Sequence, residues 1–275
     1  MNINFLTKLP NFKGKRRLAK FLLGSDFNTK KDIVVAGKYN LKYLIPNLVE
    51  NIGFDIMVNG IYEMETLEFI ISRLPRNGIF LDIGANIGAI VLPVCKLRSD
   101  ISAIAVEASS NVFSYLIRNA EINGIGNILL KQIAISQTDD ENLNFYSPAM
   151  EYGKGSFSPV FTKTPEIVKT MTIETLLKRE NIKELDFIKV DVEGYEYFVF
   201  KGGEAIFQNA KAPDILFEFL HWTEELVPGL KTGDAQRVLL EYGYSIYKVV
   251  DNISVKLDRI LTKGSAMLFA SKKTL

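Results

Sequence analysis

Short apolar runs alternate with longer segments whose apolar residues recur at helical spacing from residue 79 onward. The pattern predicts strands over 79–83, 102–106, 127–133, 186–191, 213–219, 244–250 and 266–271, and helices over 88–97, 110–123, 195–207 and 233–242. Such alternation is typical of an α/β fold, here a Rossmann-like, largely parallel sheet with helices on both faces. No helical pattern separates the last two strands, which favours an antiparallel C-terminal hairpin at one sheet edge.

A different pattern precedes the alternating region. Short β-type runs punctuated by Asn and Gly predict a small antiparallel cap with strands over 33–35, 43–45 and 54–58. A helix over 64–74 follows and ends at Pro75. The expected units are a basic arm over 1–30, a cap with its leading helix over 31–78, and the main domain over 79–275.

Composition narrows the class of protein. A chain of 275 residues with 47% hydrophobic content can bury a full core. Its 33 basic and 32 acidic residues nearly cancel, which gives no general reason to expect nucleic acid. The single cysteine, Cys95, excludes an intramolecular disulfide and falls in an apolar pattern, so we expect a core residue. No apolar segment is long enough for a membrane span, and the sequence predicts a soluble, cytoplasmic protein.

The first 24 residues are basic and contain no acid. Their cations and apolar residues are interleaved: Lys8, Lys13, Lys15, Arg16, Arg17 and Lys20 with Phe5, Leu6, Leu9, Phe12, Leu18, Phe21, Leu22 and Leu23. One interpretation is an amphipathic segment that makes peripheral contact with an anionic membrane. The other, which the composition favours more, is a solvated or docking arm.

A glycine-containing turn follows the first strand of the main domain. Gly84 and Gly88 stand between an apolar strand and an apolar-rich segment, a pattern that predicts strand, tight turn and helix. Glycine keeps Cβ atoms out of the turn, and the amides at the helix start are expected to face a ligand. The predicted cofactor loop comprises Gly84, Ala85, Asn86 and Gly88.

Carboxylates at adjacent strand tips indicate which ligand this is. The G-x-G-x-x-G spacing of a dinucleotide site is absent, and Asp82 would repel a pyrophosphate. Asp82 and Glu107 can instead hold an ammonium group and a ribose diol, and S-adenosylmethionine carries both. Asp82 could alternatively cap a helix, and Glu107 could be an exposed strand-end acid. Glu63, just before the 64–74 helix, could cap that helix or contact the ligand.

Further polar residues follow the later strands. Ala134 and Ser136 could form a close wall and supply an amide for an adenine ring, while Asp191 and Glu193 follow the fourth strand. Glu218 and the only histidine, His221, end the fifth. Because parallel strands end at one edge of the sheet, these groups should converge on the ligand.

The predicted catalytic residues are His221, Asp191 and Glu218. His221 has a suitable pKa for a general base that deprotonates an acceptor hydroxyl, although it could equally be structural. Asp191 could orient the acceptor, bind the sulfonium side of the cofactor or act as base, whereas Lys189 is interpreted as structural. The prediction includes no metal, although Asp191, Glu218 and His221 could hold a divalent ion.

One long loop, 144–166, is rich in glycine, proline and aromatic residues. Loops of this length and composition inside a compact domain are commonly lids or binding loops, and the alternative is an inert surface insertion.

Together these motifs resemble the FkbM-type methyltransferase family, a branch of the class I S-adenosylmethionine-dependent fold. The resemblance covers about residues 55 to 270. It is carried by Gly60-Ile61-Tyr62-Glu63, the 82–88 turn, Val106-Glu107, Asn119, Asn123-Gly124, Ala134-Ile135-Ser136, Ile188 to Gly194, Glu196, Lys201-Gly202, and Glu218 with His221. Departures are Ala108, where the family usually has proline, and Thr172 to Thr175, where it more often reads Leu-Asp-Asp.

The resemblance implies S-adenosylmethionine as methyl donor and a hydroxyl, commonly on a sugar or a polyketide, as acceptor. The resemblance therefore favours an O-methyltransferase acting on a sugar or glycan in polysaccharide biosynthesis, and a lipid-linked precursor is one form that this acceptor could take. Two alternatives stay open at this point: a nicotinamide-dependent oxidoreductase on a Rossmann-like fold, and a non-catalytic assembly protein of glycan biosynthesis.

Overall fold

The computed structural model describes residues 6–7, 9–10 and 12–274. Its helices are α1 (Lys15–Leu23), α2 (Asp26–Thr29), α3 (Asn51–Asn59), α4 (Met64–Arg73), α5 (Val91–Leu97), α6 (Ser110–Ile122), α7 (Ile173–Arg179), α8 (Glu196–Lys201), α9 (Glu204–Gln208), α10 (His221–Glu225) and α11 (Asp234–Glu241). Its strands are β1 (Lys31–Ala36), β2 (Lys42–Asn47), β3 (Ile79–Ile83), β4 (Ser102–Glu107), β5 (Ile128–Gln132), β6 (Ala134–Ile135), β7 (Asn142–Phe145), β8 (Glu166–Met171), β9 (Phe187–Val190), β10 (Asp214–Leu220), β11 (Ser245–Val250), β12 (Ile253–Lys256) and β13 (Ser265–Ser271).

The central sheet of the described chain has eight strands in the order β12-β11-β13-β10-β9-β3-β4-β5. Strands β5, β4, β3, β9 and β10 are parallel, as the alternating pattern predicts. The last strand, β13, is antiparallel to both β10 and β11, which confirms the antiparallel C-terminal hairpin strand. The connector before β13 contains β12, a short strand that the sequence did not predict and that forms the sheet edge.

The strand order reverses between β3 and β9. The chain builds β3, β4 and β5 in one direction and then adds β9 and β10 on the other side of β3. In open α/β sheets the crevice at such a reversal, beyond the carboxyl ends of the strands, is where ligands bind.

One face of the sheet carries the polar residues of this crevice. Phe80 and Phe187 lie on the face covered by the N-terminal elements, with ring centroids 6.2 Å apart. Because side chains alternate along a strand, Asp82 and Lys189 project from the same face as these rings, and they are direct neighbours in the β3–β9 register. The opposite face packs a second core around Phe200, Phe207 and other residues.

The N-terminal cap is only partly the predicted sheet. β1 and β2 form the expected antiparallel hairpin, but the predicted strand over 54–58 is wrong, because these residues lie in α3. The Glu50 side chain accepts a hydrogen bond from the amide of Asn51, and Gly60 ends the helix in the left-handed conformation. α3 is buried on most sides, so its short apolar run has no amphipathic period to distinguish it from a buried strand.

Two asparagines hold this hairpin against the main domain: Asn119 in α6 and Asn123, the residue that follows the end of that helix. The Asn119 amide group accepts from the amide of Leu44 at 2.6 Å and donates to the carbonyls of Leu44 and Ile87. One turn later, Asn123 makes the same pair of bonds with the backbone of Lys42. Since Ile87 belongs to the glycine-containing turn, Asn119 links the cap to that turn.

Other boundaries differ from the prediction in local detail. The helix predicted over 88–97 begins at Val91, and the one over 195–207 is split into α8 and α9 at Gly202. A Cβ atom at Gly202 would lie 2.0 Å from the carbonyl oxygen of Ser136, so the chain packs too closely there for any side chain.

Cys95 is buried in the core, as predicted. None of the helices in the described part of the chain is both long and apolar enough to cross a bilayer.

Candidate active site

A cavity of about 220 Å³ lies at the carboxyl ends of β3, β4, β9 and β10. Most of the predicted site residues line it: Glu63, Asp82, Gly84, Ala85, Asn86, Glu107, Ala134, Asp191, Glu193 and Glu218. Three do not: Gly88, Ser136 and His221. Asp82 and Glu107 thus line the same cavity. A ligand held between adjacent strand tips needs this arrangement.

Four amides of the turn after β3 are hydrogen-bonded within the protein and are not free for a ligand. The prediction concerned the amides at the start of the next helix, which begins beyond this turn at Val91. The amides of Gly84 and Ala85 both donate to the carbonyl oxygen of Val106, and that of Asn86 donates to Glu107. The amide of Gly88 donates to the carbonyl of Ala85. These donors hold the turn against β4, so the turn contributes shape to the site.

The two glycines are required by packing and backbone conformation. Gly84 has φ +80°, and a Cβ atom there would meet the carbonyl oxygen of Asp191 at 1.9 Å. Gly88 has φ +86° and faces the side chains of Leu92 and Leu116. Side chains at these two positions would meet protein atoms and not a ligand. The glycines are therefore needed for packing within the protein, and the expectation that they keep Cβ atoms away from a ligand is wrong.

Glu107 is buried at the tip of β4. Its Oε2 accepts from the amide of Asn86 at 2.9 Å, and its Oε1 accepts from the amide of Ser109 at 2.8 Å. Burial raises the pKa of Glu107 to about 7, although both hydrogen bonds lower it. Each oxygen keeps a lone pair that could accept from a ligand hydroxyl.

Asp82 is fully buried, and neither carboxylate oxygen accepts a hydrogen bond. It caps no helix, so the capping alternative is wrong. Its nearest cation is Lys189, whose Nζ lies 3.5 Å from Oδ1. Burial raises the pKa of Asp82, and Lys189 opposes that shift. A buried carboxylate with unused lone pairs beside a cavity is suited to an incoming donor.

Lys189 belongs to the site, although the sequence indicated a structural role. Its buried ammonium lies 3.2 Å from Oδ2 of Asp191 as well as near Asp82. Burial alone would lower the pKa of Lys189, but Asp191, Asp82 and Glu63 outweigh burial and raise it. One signal was available in the sequence: a lysine within a central parallel strand is covered on both faces and requires acidic partners.

Three carboxylates converge at the end of the cavity formed by β9 and β10. One oxygen from each of Asp191, Glu193 and Glu218 lies within 4.8 Å of the others. Burial, with the neighbouring acid Asp191 as the next cause, raises the pKa of Glu193 to about 8 and that of Glu218 to about 9. Such a group attracts positive charge. The metal set considered from the sequence included His221, and the structure puts Glu193 in its place.

His221 lies at the first position of α10, immediately after β10, and does not line the cavity. Its Nδ1 is 3.1 Å from the carbonyl oxygen of Gly264, in the segment just before β13. The sequence placed His221 at the strand tip together with Glu218. The chain instead turns into a helix at that residue, which separates the imidazole from the carboxylates.

Glu63 occupies the position before α4 with a left-handed backbone (φ 42°), and its side chain makes no capping hydrogen bond. It lines the cavity, where burial and the neighbouring Asp191 raise its pKa. Of the two alternatives for Glu63, the geometry therefore favours ligand contact.

Past β5, the predicted adenine wall is partly present. Ala134 lines the cavity, whereas Ser136 is buried behind it and its amide donates to the carbonyl of Met171. The Ser136 amide is therefore engaged within the protein and is not free for an adenine ring. Its hydroxyl lies 3.3 Å from the hydroxyl of Tyr195.

The 144–166 loop forms one wall of the cavity. The carbonyl of Tyr152 accepts from Asn86, and the Tyr152 hydroxyl accepts from the amide of Gly53 in α3. The amide of Gly153 donates to Glu50. The loop thus joins the cofactor turn to the cap. Sequence reasoning did not identify Tyr152 or Glu50 as site residues, because their partners are distant in the chain.

These residues fit S-adenosylmethionine. Asp82 offers two unused carboxylate oxygens, Glu107 offers a buried carboxylate at the neighbouring tip, and the acidic group at Asp191 suits a sulfonium cation. The fit rests on these carboxylates, whose negative charge would repel a pyrophosphate.

The model of the FkbM methyltransferase domain matches residues 82–246. The chain belongs to this family. The matched domain is of the S-adenosylmethionine-dependent methyltransferase type, as the resemblance implied, and the match gives the nicotinamide alternative no support.

Among curated proteins, the chain is similar to the hexuronic acid methyltransferase AglP of Haloferax volcanii, with 23% identity over 140 residues. The match covers 51% of this chain and 56% of AglP. The chain thus spans little more than half the length of that relative.

Solved structures of similar shape include a precorrin-6y C5,15-methyltransferase from Geobacter metallireducens, with 11% identity and a TM-score of 0.46 over 77% of this chain and 88% of the other. A second is a SAM-dependent O-methyltransferase from Thermotoga maritima, with 16% identity and a TM-score of 0.41 over 92% and 82%.

Proposed function

We propose that this methyltransferase transfers the methyl group to a hydroxyl of a sugar or glycan. The observation that carries the proposal is the group formed by Asp191, Glu193 and Glu218, whose carboxylates converge in the same cavity as Glu107. In this proposal 79–275 is the methyl-transferring domain and 31–78 is its cap.

The proposed arrangement assigns each end of the cofactor to named carboxylates. Glu107 accepts from the ribose hydroxyls, Asp82 and Glu63 face the methionine ammonium, and Ala134 contacts the adenine. Gly84, Ala85 and Asn86 form the wall between them. Bound S-adenosylmethionine supplies an electrophilic methyl group on a positively charged sulfur. Asp191 and Glu193 lie where they would stabilise that positive charge.

The acceptor hydroxyl must lose its proton, and Glu218 is the proposed base. A base must be ionised to accept that proton. Burial raises the pKa of Glu218 to about 9 in the cofactor-free protein, and the positive sulfonium beside it would lower that pKa toward the working pH. Asp191 orients the hydroxyl in this proposal. His221 is the less favoured base, because its ring lies outside the cavity lining and contacts Gly264.

Two observations support a sugar acceptor. AglP, the curated relative, is named for its action on a hexuronic acid. In addition, Phe145 and Phe157 line the cavity, and Phe157 packs on Tyr195 with ring centroids 4.3 Å apart. Aromatic faces of this kind stack against the apolar faces of sugar rings.

The test is methyl transfer from labelled S-adenosylmethionine to a panel of uronic acids, neutral hexoses and amino sugars. We expect a methyl ether on one sugar class, identified by mass spectrometry of the product. Asp191→Asn and Glu218→Gln should each lower the turnover at least about tenfold, since a positioned base contributes roughly 10²- to 10⁴-fold. Lys169→Gln, an exposed change on β8, is the control. Methylation of nitrogen or carbon in place of oxygen would contradict the proposal.

A further inference from the structure

Helix α1 has one face that is fixed to the protein. Lys15, Ala19 and Leu23 are buried, and the Lys15 ammonium donates to the carbonyl of Leu9 at 3.0 Å. Arg16 pairs with Asp55 of α3 and donates to the side chain of Asn51 at 2.7 Å. These contacts set the rotation of the helix about its axis, so the opposite face is presented to the outside.

That outer face is apolar and exposed. Phe21 is 82% exposed, Phe12 44% and Leu18 38%. At 100° per residue, Leu18 and Phe21 lie on the same side of α1, opposite Ala19 and Leu23. Single exposed apolar residues are common on soluble proteins, but Leu18 and Phe21 share one face of α1, and the exposed Phe12 lies in the turn that precedes the helix. Together they mark an interaction surface.

Cations surround these apolar residues. Lys13 and Arg17 are exposed and make no ion pair with any residue that the structure describes. Lys20 lies over the rings of Phe27 and Phe54 at 4.7 and 5.6 Å. No acidic residue precedes Asp26, and Asp26 forms an ion pair with Lys30 at 2.8 Å. The predicted residues Phe5 and Lys8 lie outside the described part of the chain.

We propose that the outer face of α1 and the preceding turn, formed by Phe12, Lys13, Arg17, Leu18 and Phe21, docks on an anionic lipid surface. Lysine and arginine beside an inserted phenylalanine are the chemistry that recognises anionic headgroups and the acyl boundary beneath them. A protruding ring on a convex helix needs no shaped pocket in its partner, because a fluid lipid layer adapts to it.

The docking face lies one helix away from the active-site cavity. Arg16 of α1 contacts Asn51 at the start of α3, and Asn51 and Ile52 line the cavity. Docking therefore holds this side of the cavity close to the lipid surface. If the proposed sugar acceptor is correct, an acceptor carried on a lipid would be presented there; only this last step rests on the proposed function.

The experiment is co-sedimentation of the full chain with vesicles of phosphatidylcholine alone or mixed with phosphatidylglycerol, at low and high salt. We expect binding to the mixed vesicles that weakens as salt rises. Lys13→Gln with Arg17→Gln should lower the partition coefficient about 25-fold, since each cation contributes about fivefold near an anionic surface. Phe21→Ser should lower it about tenfold.

Matched controls lie on β8, where Ile167 is 72% exposed and Lys169 is also exposed. Ile167→Ser and Lys169→Gln should leave vesicle binding unchanged. Absence of binding to the mixed vesicles, equal binding to uncharged vesicles, or equal loss in the β8 controls would each overturn the proposal. Because sedimentation needs no methyl transfer, its result is independent of whether the sugar acceptor is correct.

Discussion

The amide of Asn86 donates a hydrogen bond of 2.9 Å to Oε2 of Glu107, which ties the turn after β3 to the tip of β4. Glu107 therefore has two functions in the proposed site: it holds the turn in shape and it accepts from the ribose hydroxyls. A substitution at Glu107 should affect cofactor binding through both.

Glu107→Ala is expected to weaken S-adenosylmethionine binding about 10- to 100-fold, because a hydrogen bond to a charged group is worth about 1.5–3 kcal/mol. Isothermal titration calorimetry measures this loss. Glu121→Ala, at an exposed position in α6, is the control and should bind normally. Unchanged affinity in Glu107→Ala, in a protein that melts cooperatively, would show that the ribose is held elsewhere.

A second prediction concerns the attachment of the cap. Asn119→Leu removes one acceptor and two donors, which leaves the partly buried backbone groups of Leu44 and the buried carbonyl of Ile87 without these partners. We expect a loss of about 2–4 kcal/mol in the free energy of unfolding, since each unsatisfied buried group costs about 1–3 kcal/mol. Urea denaturation measures it. Asn111→Leu, an exposed change in the same helix, should change stability by less than about 0.5 kcal/mol. Similar stability in the two variants would contradict the role of Asn119.

The sequence allowed the site to be located because of one geometric rule. Parallel strands end at the same sheet edge, so Asp82, Glu107, Asp191 and Glu218 could be grouped from the strand pattern alone. The exact order of the strands is not needed to group these residues, because all parallel strands of the sheet end at the same edge. The apolar runs that form these strands are also unambiguous.

Other features depend on contacts between distant residues and could not be derived in this way. The amides of the 84–88 turn are used by Val106 and Glu107, and no pattern within the turn shows this. α3 reads as a strand because burial on most sides removes its helical period. His221 follows Glu218 by only three residues, yet the start of α10 between them changes the direction of the chain.

The Lys189 ammonium, shared by Asp82 and Asp191, leads to a third prediction. Lys189→Met leaves two carboxylates without their buried cation and should destabilise the protein by about 3–5 kcal/mol. The double variant Asp82→Asn with Lys189→Met should recover part of that loss, because one uncompensated charge is also removed. Urea denaturation of the wild type, both single variants and the double variant gives the coupling energy. Strictly additive losses would show that Asp82 and Lys189 do not interact.

A fourth prediction follows from the raised pKa values of the buried acids. Burial is the first cause that raises these pKa values from the ordinary 4.5 of a glutamate, to about 8 for Glu193, about 8 for Glu196 and about 9 for Glu218. Between the ordinary pKa of 4.5 and these raised values, the folded state binds more protons than the unfolded state. The free energy of unfolding therefore falls as pH rises through this range. The melting temperature of the cofactor-free protein should therefore decrease from about pH 5 to about pH 9.

Glu218→Gln tests which group causes that decrease. Glutamine has the same shape and no charge, so the variant should melt at a higher temperature than the wild type at alkaline pH and show a flatter pH dependence. Glu121→Gln, exposed in α6, should leave the profile unchanged. A melting temperature that rises between pH 6 and 9, or a Glu218→Gln profile with the wild-type slope, would show that Glu218 ionises at a normal pH in the folded protein.

A fifth prediction concerns the pH dependence of cofactor affinity, which should run opposite to that of stability. In the proposed arrangement the positive sulfonium lies beside Asp191, Glu193 and Glu218, and a neighbouring cation favours the ionised form of each carboxyl group. The complex then binds fewer protons than the free protein, so the affinity for S-adenosylmethionine should increase between about pH 6 and pH 9. Calorimetric titrations across this range measure the slope, and Glu218→Gln should reduce it. S-adenosylhomocysteine, which lacks the sulfonium charge, is the matched ligand: if its affinity increases with pH as steeply, the carboxylates do not respond to that charge.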